Sequence, residues 1–290
     1  MISINKKTQK QQTLKSEFSV EGIGLHSGNK VRLTIMPAEV NNGIRFITTD
    51  IKKDNIIPAI WTNVTSTNLC TTISNDNDIS VSTIEHLMSA LSGMHVDNAD
   101  ILIDNTEVPI MDGSSLPFVE NLELSGLLQQ NDDRKIILVN KEVVVSNEDA
   151  FAKITPNKQF SIDFEIEFES HLINKQACQL QLVNGNYKSD ISSARTFGFE
   201  KDVDYLRSNG FALGGSLENA VVVGEDSILN KEGLRFEDEF VRHKMLDSIG
   251  DLYLAGYPIQ GYFCGNKSGH YLNNQLLRKL FSNNSNFDII

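Results

Sequence analysis

Phe240-Val-Arg-His-Lys-Met-Leu-Asp-Ser-Ile-Gly250 and Ser82-Thr-Ile-Glu-His-Leu-Met-Ser-Ala-Leu-Ser-Gly93 are two versions of one pattern, set far apart in a chain of 290 residues. In the first, Phe240, Val241, Met245, Leu246 and Ile249 recur at helical spacing, and Gly250 reads as the stop. In the second, Ile84, Leu87, Met88 and Leu91 give a helix over 83–91, with Ser82 as N-cap and Gly93 as stop. His243 and His86 each stand seven residues before those glycines. Paired helices of this kind would pack across a pseudo-two-fold and bring the two histidines together.

The surroundings of both helices are also alike. Residues 31–37 alternate as a strand and 43–47 follow as the expected neighbour. In the second half, 151–156 precede 160–168, whose period of two is the clearest strand in the chain. Strand-like stretches 99–103 and 259–264 follow the two helices. Each then leads into a glycine loop and a further helix, at 113–119 and 269–277. Polar residues 129–134 read as a linker, giving units 1–128 and 135–290. Chance similarity of two α+β units remains the alternative. One segment has no counterpart: 196–223, with Phe197, Phe199, Leu206, Phe211, Gly214, Gly215 and Val221-Val-Val223. Its apolar surface suggests a groove or channel, and an extra layer of core would account for it equally well.

His243 and Asp247 lie one turn apart on one face, so both can hold a single ion together with His86. Two imidazoles and a carboxylate leave a position open for water, the pattern of a catalytic zinc. Glu85, next to His86, is then free as a general base. An isolated H-x-x-x-D is usually a surface pair, but the chain has only six histidines and three fall in candidate segments, the third being His270 in Gly265-Asn-Lys-Ser-Gly-His270. His26, in the loop Gly22-Ile-Gly-Leu-His-Ser-Gly28, is either near a site or a turn residue. His95 reads as a helix C-cap cation, and His171 carries no signal.

A formal charge of −12 argues against nucleic acid as a partner. Cys70, Cys178 and Cys264 are scattered and odd in number, which points to a reducing compartment. The start, Met1-Ile-Ser-Ile-Asn-Lys-Lys, lacks the apolar core of a signal peptide, and no run has the ~18–20 apolar residues of a membrane span. A cytoplasmic protein is expected.

Together the motifs resemble the UDP-3-O-acyl-N-acetylglucosamine deacetylase family, zinc amidases that commit the lipid A pathway in Gram-negative bacteria. The resemblance spans nearly the whole chain: the 22–28 loop, Ser82-Thr-Ile-Glu-His-Leu87, Pro109-Ile-Met-Asp-Gly-Ser-Ser115, Ser193-Ala-Arg-Thr-Phe-Gly198, the block 233–247 and Lys267-Ser-Gly-His-Tyr-Leu-Asn-Asn274. It implies an α+β fold of two similar domains, each a sheet packed on helices, with both helical layers sandwiched between the sheets. It implies one zinc per chain on His86, His243 and Asp247, with Glu85 as base and His270 as cationic acid. Asp251 would orient that histidine, and the Thr196 hydroxyl would help hold the oxyanion. Lys244 and Lys267 match substrate-binding lysines, Phe197 packs against sugar and acyl chain, and Phe168 falls near a uridine-stacking aromatic. Gly215 would let the acyl chain pass close to backbone. Glu200 departs from the pattern, standing where an apolar residue would line the channel mouth. The substrate implied is UDP-3-O-acyl-N-acetylglucosamine, met at the cytoplasmic face of the inner membrane by a monomer without an integral membrane segment. Acetate and a UDP-3-O-acyl-glucosamine are the products. Another metalloamidase acting on a different acylated sugar nucleotide, and a silent binding protein on the same fold, are the rival readings.

Overall fold

The computed structural model describes residues 9–182 and 185–290; the opening stretch 1–7, read above for a signal peptide, lies outside them. Six helices are described: α1 (Glu85–Gly93), α2 (Leu116–Ser125), α3 (Asn186–Asp190), α4 (Val203–Ser208), α5 (Glu239–Tyr253) and α6 (His270–Phe281). Two five-stranded sheets flank them. The first runs Phe18–Ile23, Lys30–Pro37, Ala99–Ile103, Ile44–Thr48, Ile56–Pro58; the second runs Val143–Asn147, Ala150–Thr155, Tyr262–Asn266, Ser161–Glu167, Lys175–Gln181. Both pair antiparallel, antiparallel, parallel, antiparallel across the sheet. The doubled α+β plan and its helical centre follow the sequence expectation.

Alternation sets the faces of the strands. Val31, Leu33 and Ile35 point inward in the first sheet, and Ile162, Phe164 and Ile166 in the second, all buried. Strand 43–47 is not the neighbour of 31–37 as expected. Ala99–Ile103 lies between them, antiparallel to one and parallel to the other. A parallel pair needs a long crossover, and the passage through α1 supplies it. Stretch 259–264 is split: Ile259–Gln260 pairs with Ile137–Val139, and Tyr262–Asn266 enters the main sheet.

Residues 129–134 are not an irregular linker. Most of them belong to the strand Leu127–Asp133, which pairs antiparallel with Lys10–Leu14. This ribbon is held by backbone bonds and polar side chains, for example Asn98 Nδ2 donating to Gln130 Oε1 at 2.7 Å, so it leaves no apolar period to read.

Helices α1 and α5 are buried almost all round, as helices between two layers must be. Two helix boundaries differ from expectation. Ser82 does not cap α1; it pairs with Glu107, its hydroxyl donates to the Thr106 carbonyl at 3.2 Å, and Thr83 turns the chain with φ 57°. Gly250 does not stop α5, which continues to Tyr253. A Cβ on Gly250 would lie 2.0 Å from the Glu85 carbonyl oxygen, so the glycine serves the close crossing of α1 and α5. Packing on all sides outweighs its cost of roughly 1 kcal/mol in a helix interior. Among the described residues no helix is long and apolar enough to cross a membrane.

Candidate active site and metal centre

The turn at Thr83 aims the first residues of α1 at the α5 face. Thr83 Oγ1 donates to Glu107 Oε1 at 3.0 Å, and the same buried carboxylate accepts the backbone N–H groups of His26 and Ser27, both at 2.8 Å. Glu107 therefore fixes the entry to α1 and the 22–28 loop together. On α5, Glu239 is fully buried and accepts Arg195 Nε at 2.9 Å and the Arg195 backbone N–H at 3.0 Å. This clamps 194–196 against the helix, so that the Ala194 carbonyl accepts His243 Nδ1–H at 3.1 Å. With that proton committed, His243 Nε2 presents a lone pair inward.

His86 Nε2 and His243 Nε2 lie 3.5 Å and 3.4 Å from Asp247 Oδ1. All three side chains are buried, and the rings meet edge to face with centroids 4.9 Å apart. Asp247 Oδ2 accepts Lys244 Nζ at 2.6 Å, whereas Asp247 Oδ1 has no hydrogen-bond partner among the described residues. A buried carboxylate oxygen without a donor is costly unless something else neutralises it. Separations of this size match the edge of a tetrahedron around an ion with ligand bonds of about 2.0–2.1 Å. The three residues thus fit a divalent ion with one coordination position left over. Burial tends to raise the Asp247 carboxyl, but His243 and the Lys244 ammonium dominate and hold it well below the ordinary carboxylate range.

His270 begins α6 and faces Glu85, Nε2 to Oε1 at 3.7 Å. Its Nδ1–H donates to Asp251 Oδ2 at 2.8 Å, and Asn273 Nδ2 donates to the same oxygen at 2.8 Å. Burial pulls the imidazole pKa down; the carboxylates of Asp251 and Glu85 overcome this and raise it to about 9. Burial raises the Glu85 carboxyl, with the cationic His270 pulling the other way. One group is thereby kept charged as an acid and its neighbour is made more basic than a surface glutamate.

A cavity of about 180 Å³ is lined by Glu85, His86, His243, Lys244, Asp247, His270, Thr196, Phe197 and Phe168, together with His26 and Leu25. Phe197 packs on His243, 6.2 Å between centroids, and on Phe168, 5.7 Å. Thr196 is pinned by its backbone, its N–H donating to the Gly113 carbonyl and its own carbonyl accepting from Val221, both at 2.8 Å. Asp251 stands behind His270. Two further expected residues, Lys267 and Gly215, also lie away from the cavity wall. Lys267 donates to Asp149 at 2.8 Å and pairs with Glu167 at 2.6 Å, and Gly215 sits against Ala212 and Leu25. Beyond Phe168, a groove of about 780 Å³ runs along Phe199, the exposed Glu200 and Val223.

His26 resolves as a wall residue of this cavity. His95 is not a capping cation: its ring Nδ1 accepts from the Arg134 guanidinium at 3.2 Å, so that nitrogen carries no proton. Glu107 gives no sequence signal, since a single glutamate outside any spacing pattern looks like a surface residue; Glu239 lies inside the block 233–247, but nothing in the block's spacing marks it as a clamp for Arg195.

A buried cluster of two imidazoles and a carboxylate that could hold a metal ion, with a further imidazole and carboxylate facing each other on the same cavity, is the arrangement of a metal-dependent hydrolase. Comparison with known proteins gives the particular kind. Residues 11–282 match the UDP-3-O-acyl N-acetylglycosamine deacetylase family. The chain is 49% identical over 277 residues to the UDP-3-O-acyl-N-acetylglucosamine deacetylase of Syntrophus aciditrophicus, covering 96% of this chain and 88% of that one. It is 47% identical over 282 residues to the protein of that name from Shewanella pealeana, covering 97% and 92%. The chain belongs to the UDP-3-O-acyl-N-acetylglucosamine deacetylase family.

Proposed function

We propose that this protein hydrolyses the N-acetyl group of UDP-3-O-acyl-N-acetylglucosamine, releasing acetate and UDP-3-O-acyl-glucosamine, the committed step of lipid A biosynthesis, with one zinc ion held by His86, His243 and Asp247. The observation that carries the metal assignment is the donorless Asp247 Oδ1 facing two imidazole nitrogens at 3.4–3.5 Å. Zinc in this set would supply Lewis acidity to the amide carbonyl and to water at its open position.

The chain's own groups account for the proton movements. Glu85 takes the proton from the attacking water as its oxygen bonds to the carbonyl carbon. The Thr196 hydroxyl and the His270 imidazolium hold the negative charge that develops on the carbonyl oxygen. When the C–N bond breaks, its electron pair goes to nitrogen and His270 gives that nitrogen a proton. Lys244 adds positive charge at the wall, which suits a diphosphate-bearing substrate in an acidic protein. Lys267 would reach the substrate only by leaving Asp149 and Glu167. Phe168 and Phe197 offer ring faces and edges for base, sugar and acyl chain, and Gly215 borders the route for that chain.

The working unit is a monomer of two domains, 1–128 and 135–290, the strand Leu127–Asp133 pairing back onto the first. It meets its lipid substrate at the cytoplasmic face of the inner membrane by peripheral contact, without nucleic acid as partner. The test is acetate release by purified protein of measured zinc content, across UDP-N-acetylglucosamine with and without the 3-O-acyl chain. Release confined to the acylated compound supports the assignment. A zinc-loaded protein inert on both would overturn it, and turnover of a different acylated sugar nucleotide alone would favour the related amidase.

A further inference from the structure

The proposed base and acid come from opposite halves of the chain, and one residue touches the supports of both. Thr71 is 2% exposed and precedes the strand Thr72–Ser74. Its backbone N–H donates to Glu85 Oε2 at 3.1 Å, and its hydroxyl donates to Asp251 Oδ1 at 2.6 Å. Its carbonyl accepts the Ile84 N–H at 3.4 Å, just before α1. Asp251 Oδ2 accepts His270 Nδ1–H and Asn273 Nδ2–H, each at 2.8 Å. Both oxygens of that carboxylate are therefore filled, and its rotation is fixed. The His270 ring follows the carboxylate plane, and so does the 3.7 Å approach of its Nε2 to Glu85 Oε1.

We propose that Thr71 is a positioning residue for the reaction, setting Glu85 and His270 against each other across the two halves. This rests on the hydrolase reading above. Without its hydroxyl, Asp251 Oδ1 becomes a buried charged acceptor with no donor, and the carboxylate turns to find one. The ring then swings, and misplacement of about an ångström costs on the order of 10²-fold in rate. Thr71 touches neither substrate nor ion; it acts through two groups that do the proton work.

Thr71→Val isolates the effect, since it keeps the branched shape and the backbone donor to Glu85 while replacing the hydroxyl by a methyl. In the zinc-loaded enzyme kcat should fall about 10- to 100-fold, with KM changed less than about twofold and zinc content unchanged. Thr71→Ser should recover most of the rate. In an Asp251→Ala background the same valine change should cost almost nothing more, because both act through one carboxylate. The His270 Nδ1–H proton should be resolved by NMR in wild type and in Thr71→Ser, and broadened by exchange in Thr71→Val. Should valine impair folding, Thr71→Ala serves in the same readouts. An undiminished kcat in Thr71→Val, or an equal loss with and without Asp251, overturns the proposal. If the wild type releases no acetate, it is the hydrolase reading that fails, and the NMR comparison alone decides whether Thr71 holds the Asp251–His270 pair.

Discussion

The first half and the second half share one strand order, one alternation of pairing and one placement of two helices around the central strand. Their helices differ. Helix α1 has nine residues and gives the site Glu85 and His86 from its first turn; α5 has fifteen and gives His243, Lys244, Asp247 and Asp251 from three turns. Helix α2 begins without a site residue, whereas α6 begins with His270. The connections before α1 and α5 differ as well. A small three-stranded sheet precedes α1, with Thr71 just before its middle strand, and a strand–helix–strand excursion precedes α5, with Thr196 just before it and Phe197 opening its first strand. The repeated scaffold sets the crossing of the two helices that carry the candidate ligands, and the unlike connections bring Thr71, Thr196 and Phe197 beside it.

Breaking the metal seam between the halves should have the largest effect. Replacing His86, His243 or Asp247 by Ala should remove the ion and the activity together, with a loss of metal affinity beyond the roughly 10- to 100-fold typical of outer-sphere changes. Metal analysis beside acetate release checks it, and full occupancy in all three variants would refute the ligand set. The fold should survive, because one continuous apolar core runs through both halves and includes none of the three ligands.

Next come Glu85 and His270, the proposed proton-transfer groups. Glu85→Ala and His270→Ala should retain zinc and lose about 10²–10⁴ in kcat. Near-normal turnover in Glu85→Ala at neutral pH would place the base elsewhere. Asp251→Asn is a smaller change with a definite sign. Asp251 and Glu85 raise His270 to about 9 against the downward pull of burial. The charged acid persists below that pH and is lost above it. Removing the Asp251 charge lowers the pKa, so the basic limb of the kcat profile should move to lower pH. An unmoved limb would show that it belongs to another group.

Two smaller effects probe the scaffold and the excursion. Gly250→Ala would push a methyl to within 2.0 Å of the Glu85 carbonyl oxygen and force α1 from α5. Overpacking of this kind costs about 1–3 kcal/mol and should lower the melting temperature; an unchanged Tm would mean the helices do not cross so closely. Gly215→Met should depress kcat/KM for long acyl chains more than for short ones at constant zinc content, since each buried methylene contributes about 0.8 kcal/mol. An equal loss at every length would locate the chain's path elsewhere.

The sequence made the doubled plan visible because helical and strand periods recur in both halves, and it made the ligands visible because His243 and Asp247 share a helix face. Gly250 was misread because a glycine that permits close helix packing and one that ends a helix are the same letter. The order of strands was misread because pairing of Ala99–Ile103 between two earlier strands is a long-range choice. Residues 129–134 hid a strand because its ladder is held by polar groups. The roles of Thr71, Glu107 and Glu239 are illegible for a related reason, even though Glu239 sits in a motif block: each acts through hydrogen bonds to residues far along the chain, which leave no spacing pattern. Lys267 shows the converse, a motif residue whose ammonium is engaged by Asp149 and Glu167 at the surface.

One ion should join the two halves, and zinc-edge X-ray absorption reads its ligands from both. The purified protein should hold one zinc per chain, with two imidazole nitrogens and a carboxylate oxygen at about 2.0–2.2 Å. In His86→Ala the ion should be lost, or any residual zinc should show a single imidazole. Full zinc in His86→Ala with an unchanged ligand set would rule out the shared site, because the first half would then contribute nothing to the metal.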